Sequence, residues 1–266
     1  MGVSADRKKD MDVGRRKLEK IFRIKYGDAS TTGWGPRLRR SFGYFTPDDF
    51  YEVVVAELVV KGCFWIDVGC GRDIFPNNRV LAHMLSERCG LLVGVDPSDN
   101  VDENPYVHQR MKTPIEYFRS ERVFDLATFR MVVEHITRPA LVIDSLKQLI
   151  RPGGKVVIYT VNRCSPSTIL SSLVPFRLHH AIKGIFFRSE DKDTFPVVYR
   201  MNTRGRLAEL FERGGFKESF FTYLDDCRIL NQFRMLTILN LSLWRSLNGV
   251  GLRYPDQCLL GIYERV

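Results

Sequence analysis

The segment Trp65–Pro76 (WIDVGCGRDIFP) concentrates the residues best suited to hold a ligand. Gly69 and Gly71 permit a tight turn and let a bound molecule lie against backbone with no Cβ in the way. The dinucleotide fingerprint needs a third glycine three residues after Gly71, where Ile74 stands. Asp67 and Asp73 place carboxylates around the turn, and these oppose a pyrophosphate. The ligand at this point is therefore expected to be neutral or cationic. A second signal is Gly94–Ser98 (GVDPS). Asp96, at the end of an apolar run, is placed to accept hydrogen bonds from both ribose hydroxyls, and Ser98 adds a contact. Alone, Asp96-Pro97 reads as a turn between strand and helix. Beside the glycine turn it reads as a nucleoside site. A sulfonium nucleoside carrying an amino acid meets both demands, since its ammonium can face carboxylates and backbone carbonyls.

These residues need a sheet to hold them, and the surrounding pattern supplies one. Cys63–Val68, Gly90–Val95, Val123–Phe129 and Lys155–Thr160 are short apolar runs, each reading as a strand buried on both faces. Between them the spacing predicts helices over Asn78–Arg88, near Ile115–Phe118 and over Ala140–Ile150, the last closed by Arg151-Pro152-Gly153-Gly154. In the first of these, Val80, Leu81, Met84 and Leu85 fall on one face. Such alternation implies βαβ units and a parallel, doubly wound α/β sheet. Upstream, Leu18, Ile21, Phe22 and Ile24 mark an amphipathic helix, and Gly33-Trp34-Gly35-Pro36 reads as a loop. Thr46 caps a helix opened by Pro47, with Asp48 and Asp49 in its first turn. After Val161 the rhythm breaks through residues 164–200. A helix at Leu207–Arg213 stops at Gly214-Gly215, and 216–224 and 258–264 read as the last strands. Ile229–Leu247 between them is apolar, with Arg234 and Arg245 inside it, and reads as a helical or membrane-apposed segment.

With these motifs the chain resembles the class I S-adenosylmethionine-dependent methyltransferases. Five segments match in order: WIDVGCGRD (65–73), LVGVDPS (92–98), FDLATFRMVVEHI (124–136), LIRPGGKVVIYTVN (149–162) and LAELFERGGF (207–216). The chain departs at Asp73, where the family usually has glycine. The EHI and TVN segments are most similar to the small-molecule branch, the type 11/12 and quinone-methyltransferase-like group. Residues 36–52 and 193–203 resemble bacterial members tied to natural-product or surface-glycan pathways. The resemblance implies a seven-stranded, mostly parallel sheet, with residues 1–60 as an N-terminal helical lid. Residues 61–266 then form the methyltransferase domain, with a cap inserted at about 164–203. It implies S-adenosylmethionine as cofactor and S-adenosylhomocysteine as product. Asp67 and Gly69 would border the methionine end, Gly71 the sulfonium side, Asp96 the ribose and Pro97 the adenine. Met111 and Thr113, taken to follow the third strand, would line the adenine pocket, where the family commonly has an acid that this chain lacks. Arg130 and Met131, ending the fourth strand, would lie beside the cofactor.

Methyl transfer from a sulfonium asks mainly for in-line positioning, with a base only if the acceptor keeps its proton. His135, just past the fourth strand, is the candidate base, and the alternative is that it braces the next turn. His179 and His180 in the inserted region are further candidates, or a surface pair. Tyr199 and Arg200 lie in the same region, where Arg200 would hold an acidic acceptor or brace Asp191 or Asp193. Arg40, Tyr44 and Phe45, with Arg37 and Arg39, form a basic-aromatic stretch. It would contact an anionic or aromatic acceptor as part of the lid, or form a solvated turn. The acceptor is expected to be a small molecule, with an oxygen acceptor mildly favoured by these histidines. Two rival readings are a binding module that keeps the cofactor pocket without turnover, and a peripheral membrane methyltransferase whose basic N-terminus and 229–247 segment dock on anionic lipid to reach a lipid-like acceptor.

Composition sets the outer bounds. The chain has 266 residues, 44 % of them hydrophobic and 27 % charged, an ordinary globular mix. Forty Lys and Arg face 31 Asp and Glu, giving a net charge of +9. Much of the excess sits in Arg7–Lys25 and Arg37–Arg40. This suits an anionic ligand or an acidic membrane surface, and no nucleic-acid motif accompanies it. No CxxC pair occurs among the six cysteines, so metal is not expected and the thiols read as reduced. No apolar core follows the basic N-terminus and no run is long enough to span a bilayer, so a cytoplasmic protein is expected, with contact to a membrane surface as an alternative.

Overall fold

In the computed structural model, residues 13–28, 31–166, 168–169, 196–228, 232–252 and 254–266 are described. Seven strands form one sheet in the order β3-β2-β1-β4-β5-β7-β6. They are β1 (Phe64–Val68), β2 (Leu91–Asp96), β3 (Gln109–Lys112), β4 (Phe124–Arg130), β5 (Ile150–Val161), β6 (Phe216–Asp225) and β7 (Asp256–Arg265). The pairs β1–β2, β1–β4, β2–β3 and β4–β5 are parallel, and β7 runs antiparallel between β5 and β6. Right-handed crossovers of this kind gather the loops after β1, β2 and β4 along one edge, where open α/β sheets hold their ligands.

Helices cover both faces. The helices are α1 (Arg15–Tyr26), α2 (Trp34–Ser41), α3 (Pro47–Leu58), α4 (Arg79–Arg88), α5 (Pro139–Leu149), α6 (Arg204–Arg213) and α7 (Arg234–Gly249). Leu18, Ile21 and Phe22 of α1 and Val53, Val54 and Val55 of α3 share one buried cluster with Trp65, Leu126 and Val157 of the sheet. Thus α1 and α3 pack into the core on this face of the sheet, while Leu38 of α2 packs with Tyr44 and Leu241. On the opposite face Val142, Leu146, Leu207 and Phe211 of α5 and α6 pack on Ile66, Ala127 and Ile158.

Several expectations hold in detail. Thr46 caps α3 in a reciprocal box: its hydroxyl accepts from the Asp49 amide at 3.3 Å, and Asp49 Oδ2 accepts from the Thr46 amide at 2.8 Å. Others are corrected. Residues expected as a loop form α2, because Pro36 falls in its first turn, where a backbone N–H has no helical acceptor to lose. Near Ile115–Phe118 there is a turn instead of a helix, with the Phe118 amide on the Ile115 carbonyl at 3.2 Å. Met111 and Lys112 lie within β3, and only Thr113 follows it. In α4 the inward residues are Leu81, Ala82 and Leu85, while Val80 and Met84 are exposed. β5 begins at Ile150, earlier than expected, and absorbs Pro152-Gly153-Gly154 in a register shift against β4.

Candidate active site

The turn after β1 and the end of β2 are joined. Gly69 and Gly71 have φ of +69° and +47°, in the left-handed region that favours glycine. The Gly69 amide donates to the Val95 carbonyl at 2.7 Å, and the Gly71 amide donates to Asp96 Oδ2 at 3.0 Å. Behind the turn, buried Asn104 donates through Nδ2 to the carbonyls of Cys70 and Gly71, at 3.2 and 3.0 Å. Nothing in the sequence around Asn104 marks it, and only the fold brings it under the turn.

The two glycines do different work. A Cβ on Gly69 would stand 2.2 Å from Val132 Cγ2, so its absence lets the loop after β4 pack against the loop after β1. A Cβ on Gly71 would meet nothing within 4 Å. That clear strip of backbone beside the Asp96 carboxylate is a cradle a side chain would fill. It fits a nucleoside lying on the turn.

The carboxylates differ from the sequence expectation in one respect. Asp96 Oδ1 accepts both the amide and the hydroxyl of Ser98, at 2.8 and 2.7 Å. Ser98 therefore serves Asp96, and the capacity left on the carboxylate is mainly on Oδ2. Pro97 is exposed beside it. Asp67 is buried at the end of β1 and accepts from Thr128 Oγ1 at 2.5 Å, while Thr128 Oγ1 accepts from Trp65 Nε1 at 2.7 Å. Burial pushes the Asp67 carboxyl up to about 7, against the opposing pull of the Thr128 hydroxyl and the Arg130 charge. A cationic group arriving at Asp67 would restore its ionised form. Asp73 lies 3.4 Å from Arg79 at the rim of the turn.

The end of β4 carries a second strained turn. Met131 has φ of +53° and donates its amide to the Tyr159 carbonyl at 2.8 Å. A non-glycine residue held there is a hallmark of functional loops. Arg130 is held by α3. Its Nη2 donates to Asp48 Oδ1 of α3 at 2.8 Å, and Arg228, just after β6, donates to the other oxygen of Asp48. Burial alone would raise the Asp48 carboxyl, but the two guanidinium charges outweigh it and hold the group well below the usual carboxylate range. Behind the same helix Lys25 pairs with Asp49 at 3.0 Å and Glu52 at 2.8 Å, and Glu52 accepts from Asn78 Nδ2 at 2.7 Å. This network ties α1 and α3 to the cap of α4. The sequence reading placed Asp48 and Asp49 only in a helical first turn.

His135 sits in a short 3₁₀ turn, Val133–His135, and its Nδ1 lies 3.1 Å from the Pro196 carbonyl. A carbonyl accepts only, so Nδ1 donates the proton of this bond. Beneath it Glu134 accepts from Thr160 Oγ1 at 2.8 Å, and its carbonyl accepts the amides of Val198 and Tyr199 at 2.8 and 3.2 Å. Tyr199 has φ of +49°. Arg200 Nη1 donates to the Thr137 carbonyl at 2.7 Å. His179, His180, Asp191 and Asp193 lie outside the described residues.

The basic-aromatic stretch divides. Arg40 pairs with Glu19 at 2.7 Å and lies over the Phe45 ring at 5.5 Å, so its charge is spent within the N-terminal helices. Tyr44 is buried, with its hydroxyl donating to the Asp225 carbonyl at 2.8 Å and accepting from the Cys227 amide at 2.9 Å. Tyr44 and Phe45 nonetheless line a cavity of about 420 Å³ along β6, with Phe50, Phe221, Tyr223 and Trp244. Arg204 stands over the Phe221 ring at 4.9 Å. Sequence reading missed Trp244 because α7 reads as an apolar run with no chemical signature.

Residues 48–217 match the family model described as a methyltransferase domain. Among relatives, the ubiquinone biosynthesis O-methyltransferase of Coxiella burnetii is 24 % identical over 162 residues, covering 58 % of this chain and 67 % of that protein. The protein of the same name from Nitrosomonas europaea is 30 % identical over 119 residues, covering 41 % of this chain and 48 % of that protein. The solved SAM-dependent methyltransferase of Archaeoglobus fulgidus covers 88 % of this chain and 100 % of its own at 15 % identity, with a TM-score of 0.52. That from Mesorhizobium loti covers 80 % and 97 % at 17 % identity, also with a TM-score of 0.52. These solved structures share the fold. With the family match over most of the sheet and the glycine turn of β1 joined to the acidic end of β2, the chain belongs to the class I S-adenosylmethionine-dependent methyltransferases.

Proposed function

We propose that this methyltransferase holds S-adenosylmethionine on the Gly69–Gly71 turn and passes its methyl group to a hydroxyl of a small, ring-bearing or apolar molecule. When bound, the sulfonium supplies an activated methyl group, so the chain's task is to orient and exclude water. Gly71 offers bare backbone to the nucleoside, and Asp96 Oδ2 accepts from the ribose. Asp67 faces the ammonium, and Pro97, Met111 and Thr113 wall the adenine. Met131 shapes the loop beside the sulfonium. His135, in the turn just past β4, takes the acceptor's proton.

The cavity between Phe45, Phe50, Tyr223 and Trp244 suits an aromatic or prenyl-like acceptor, because these rings wall it beside the polar Asp225 and Asn248. The relatives named as O-methyltransferases of ubiquinone biosynthesis support the choice of a hydroxyl. The observation that carries the reading is the clear strip at Gly71 beside the Asp96 carboxylate. A panel of phenolic acceptors incubated with S-adenosylmethionine, read by release of S-adenosylhomocysteine, tests it. Turnover with at least one phenol, reduced by Trp244→Ala, is the expected result. Turnover confined to amines would contradict the hydroxyl assignment.

A further inference from the structure

We propose that α7 docks the protein on an anionic membrane surface, with its outward apolar face among the acyl chains and its arginines on the headgroups. The helix turns Thr237 and Leu241 inward and leaves Met235, Leu239 and Leu243 exposed at 70, 62 and 54 %. These three recur every fourth residue, so they form one stripe, and Leu236 widens it. Val250 and Leu252 continue the exposed apolar surface beyond the helix. A monomer does not leave so many large side chains in water on one helix without a use for them.

Charge selects the occupant. The sequence of α7, RMLTILNLSLWRSLNG, contains Arg234 and Arg245 and no acidic residue. Arg234 also lines a groove with Trp34 and Arg37 of α2, so an exposed tryptophan and one more basic group stand beside the start of the helix. Apolar side chains rimmed by arginine and tryptophan match the depth profile of a bilayer interface, where phosphates lie above acyl chains. Each basic group near an anionic surface adds to the attraction. A second copy of the chain suits the face less well, because symmetric contact would bring the arginines of two helices together with no carboxylate on either helix. With 16 residues, α7 is too short to cross a bilayer and lies on it instead. Its inner face walls the aromatic cavity through Trp244, so docking would set that cavity beside the membrane. The docking itself stands apart from the acceptor assignment.

Co-sedimentation of the full chain with vesicles of phosphatidylcholine, and of phosphatidylcholine with phosphatidylglycerol, tests the proposal at low and high salt. Binding to the anionic vesicles at low salt is expected, at least about tenfold stronger than to the neutral ones and weakened by salt. The double variant Leu239→Glu, Leu243→Glu is expected to lose this binding with an unchanged melting temperature, since both side chains already face water. Quenching of tryptophan fluorescence in the wild-type chain by brominated lipid checks the same contact without a substitution, and is expected through Trp34. Equal sedimentation of wild type and variant overturns the proposal, as does absence of quenching. A wild-type dimer that ignores vesicles and dissociates in the variant also overturns it and assigns the face to a second copy.

Discussion

The Gly71 amide donates to Oδ2 of Asp96 at 3.0 Å, so the glycine turn after β1 and the acidic end of β2 form one hydrogen-bonded unit. The missing Cβ of Gly69 serves packing as well, since one there would overlap Val132. Substitution should therefore separate the two glycines. Gly69→Ala is expected to cost stability through the 2.2 Å overlap and the positive φ, lowering the melting temperature by several degrees. Gly71→Val faces clear space and is strained only by the φ of +47°, so it is expected to keep the fold at a lowered melting temperature and to abolish binding of S-adenosylmethionine. Parallel melting and titration of the two variants decide this, and an unfolded Gly71→Val protein would make Gly71 a structural residue.

Asp67 ties stability to pH. Its folded carboxyl titrates at about 7, above the ordinary value of 3.8, because of burial. The folded state thus holds a proton that the unfolded state has released, and stability falls as pH rises from about 4 to 7. Asp67→Asn removes that loss. The variant is expected to gain about 1–3 kcal/mol over wild type at pH 8 and little at pH 4, while binding S-adenosylmethionine more weakly. Thermal melts across this range check it. Parallel profiles for both proteins would place the titration elsewhere.

Asp48 works in the opposite sense. Arg130 and Arg228 hold it ionised, so its contribution is present at neutral pH and is lost only in strong acid. Asp48→Ala leaves Arg130 without this carboxylate, while Arg228 keeps its pair with Asp226. The two arginine side chains keep 24 and 28 % exposure, so the expected cost is near the low end for a broken buried pair, about 3 kcal/mol. At about 2–4 °C per kcal/mol for a chain of this size, calorimetry should record a fall of roughly 6–12 °C. A fall within 2 °C or so would mean that water screens the cluster.

His135→Ala is expected to slow methyl transfer by about 10²–10⁴-fold on a hydroxyl acceptor without a comparable loss of cofactor affinity. The rate of the variant should recover as pH rises and the acceptor loses its proton unaided. Steady-state kinetics from neutral to alkaline pH reads this. Full activity across the range would leave His135 as a brace on the Pro196 carbonyl.

The sheet was legible because parallel strands are apolar throughout, and the glycine turn because glycine is favoured at φ of +69° and +47°. Partners distant in sequence were not legible. Asn104 lies 33 residues from the Gly71 carbonyl it supports, and Arg228 lies 180 residues from Asp48. No local pattern announces either. Ser98 was identified as a ligand contact on type and position, and its hydroxyl goes to Asp96. The α2 helix was missed because Gly and Pro punctuate loops and helix starts alike.

The most direct test is isothermal titration of S-adenosylmethionine into the wild-type chain and Asp96→Ala, with Ser98→Ala as a control for the brace on Oδ1. Stoichiometric binding by the wild type is expected. Asp96→Ala should weaken it by about 1–3 kcal/mol, roughly 5- to 150-fold, and Ser98→Ala by less than about fivefold. Equal affinity in wild type and Asp96→Ala would contradict the placement of the cofactor on the Gly71–Asp96 unit.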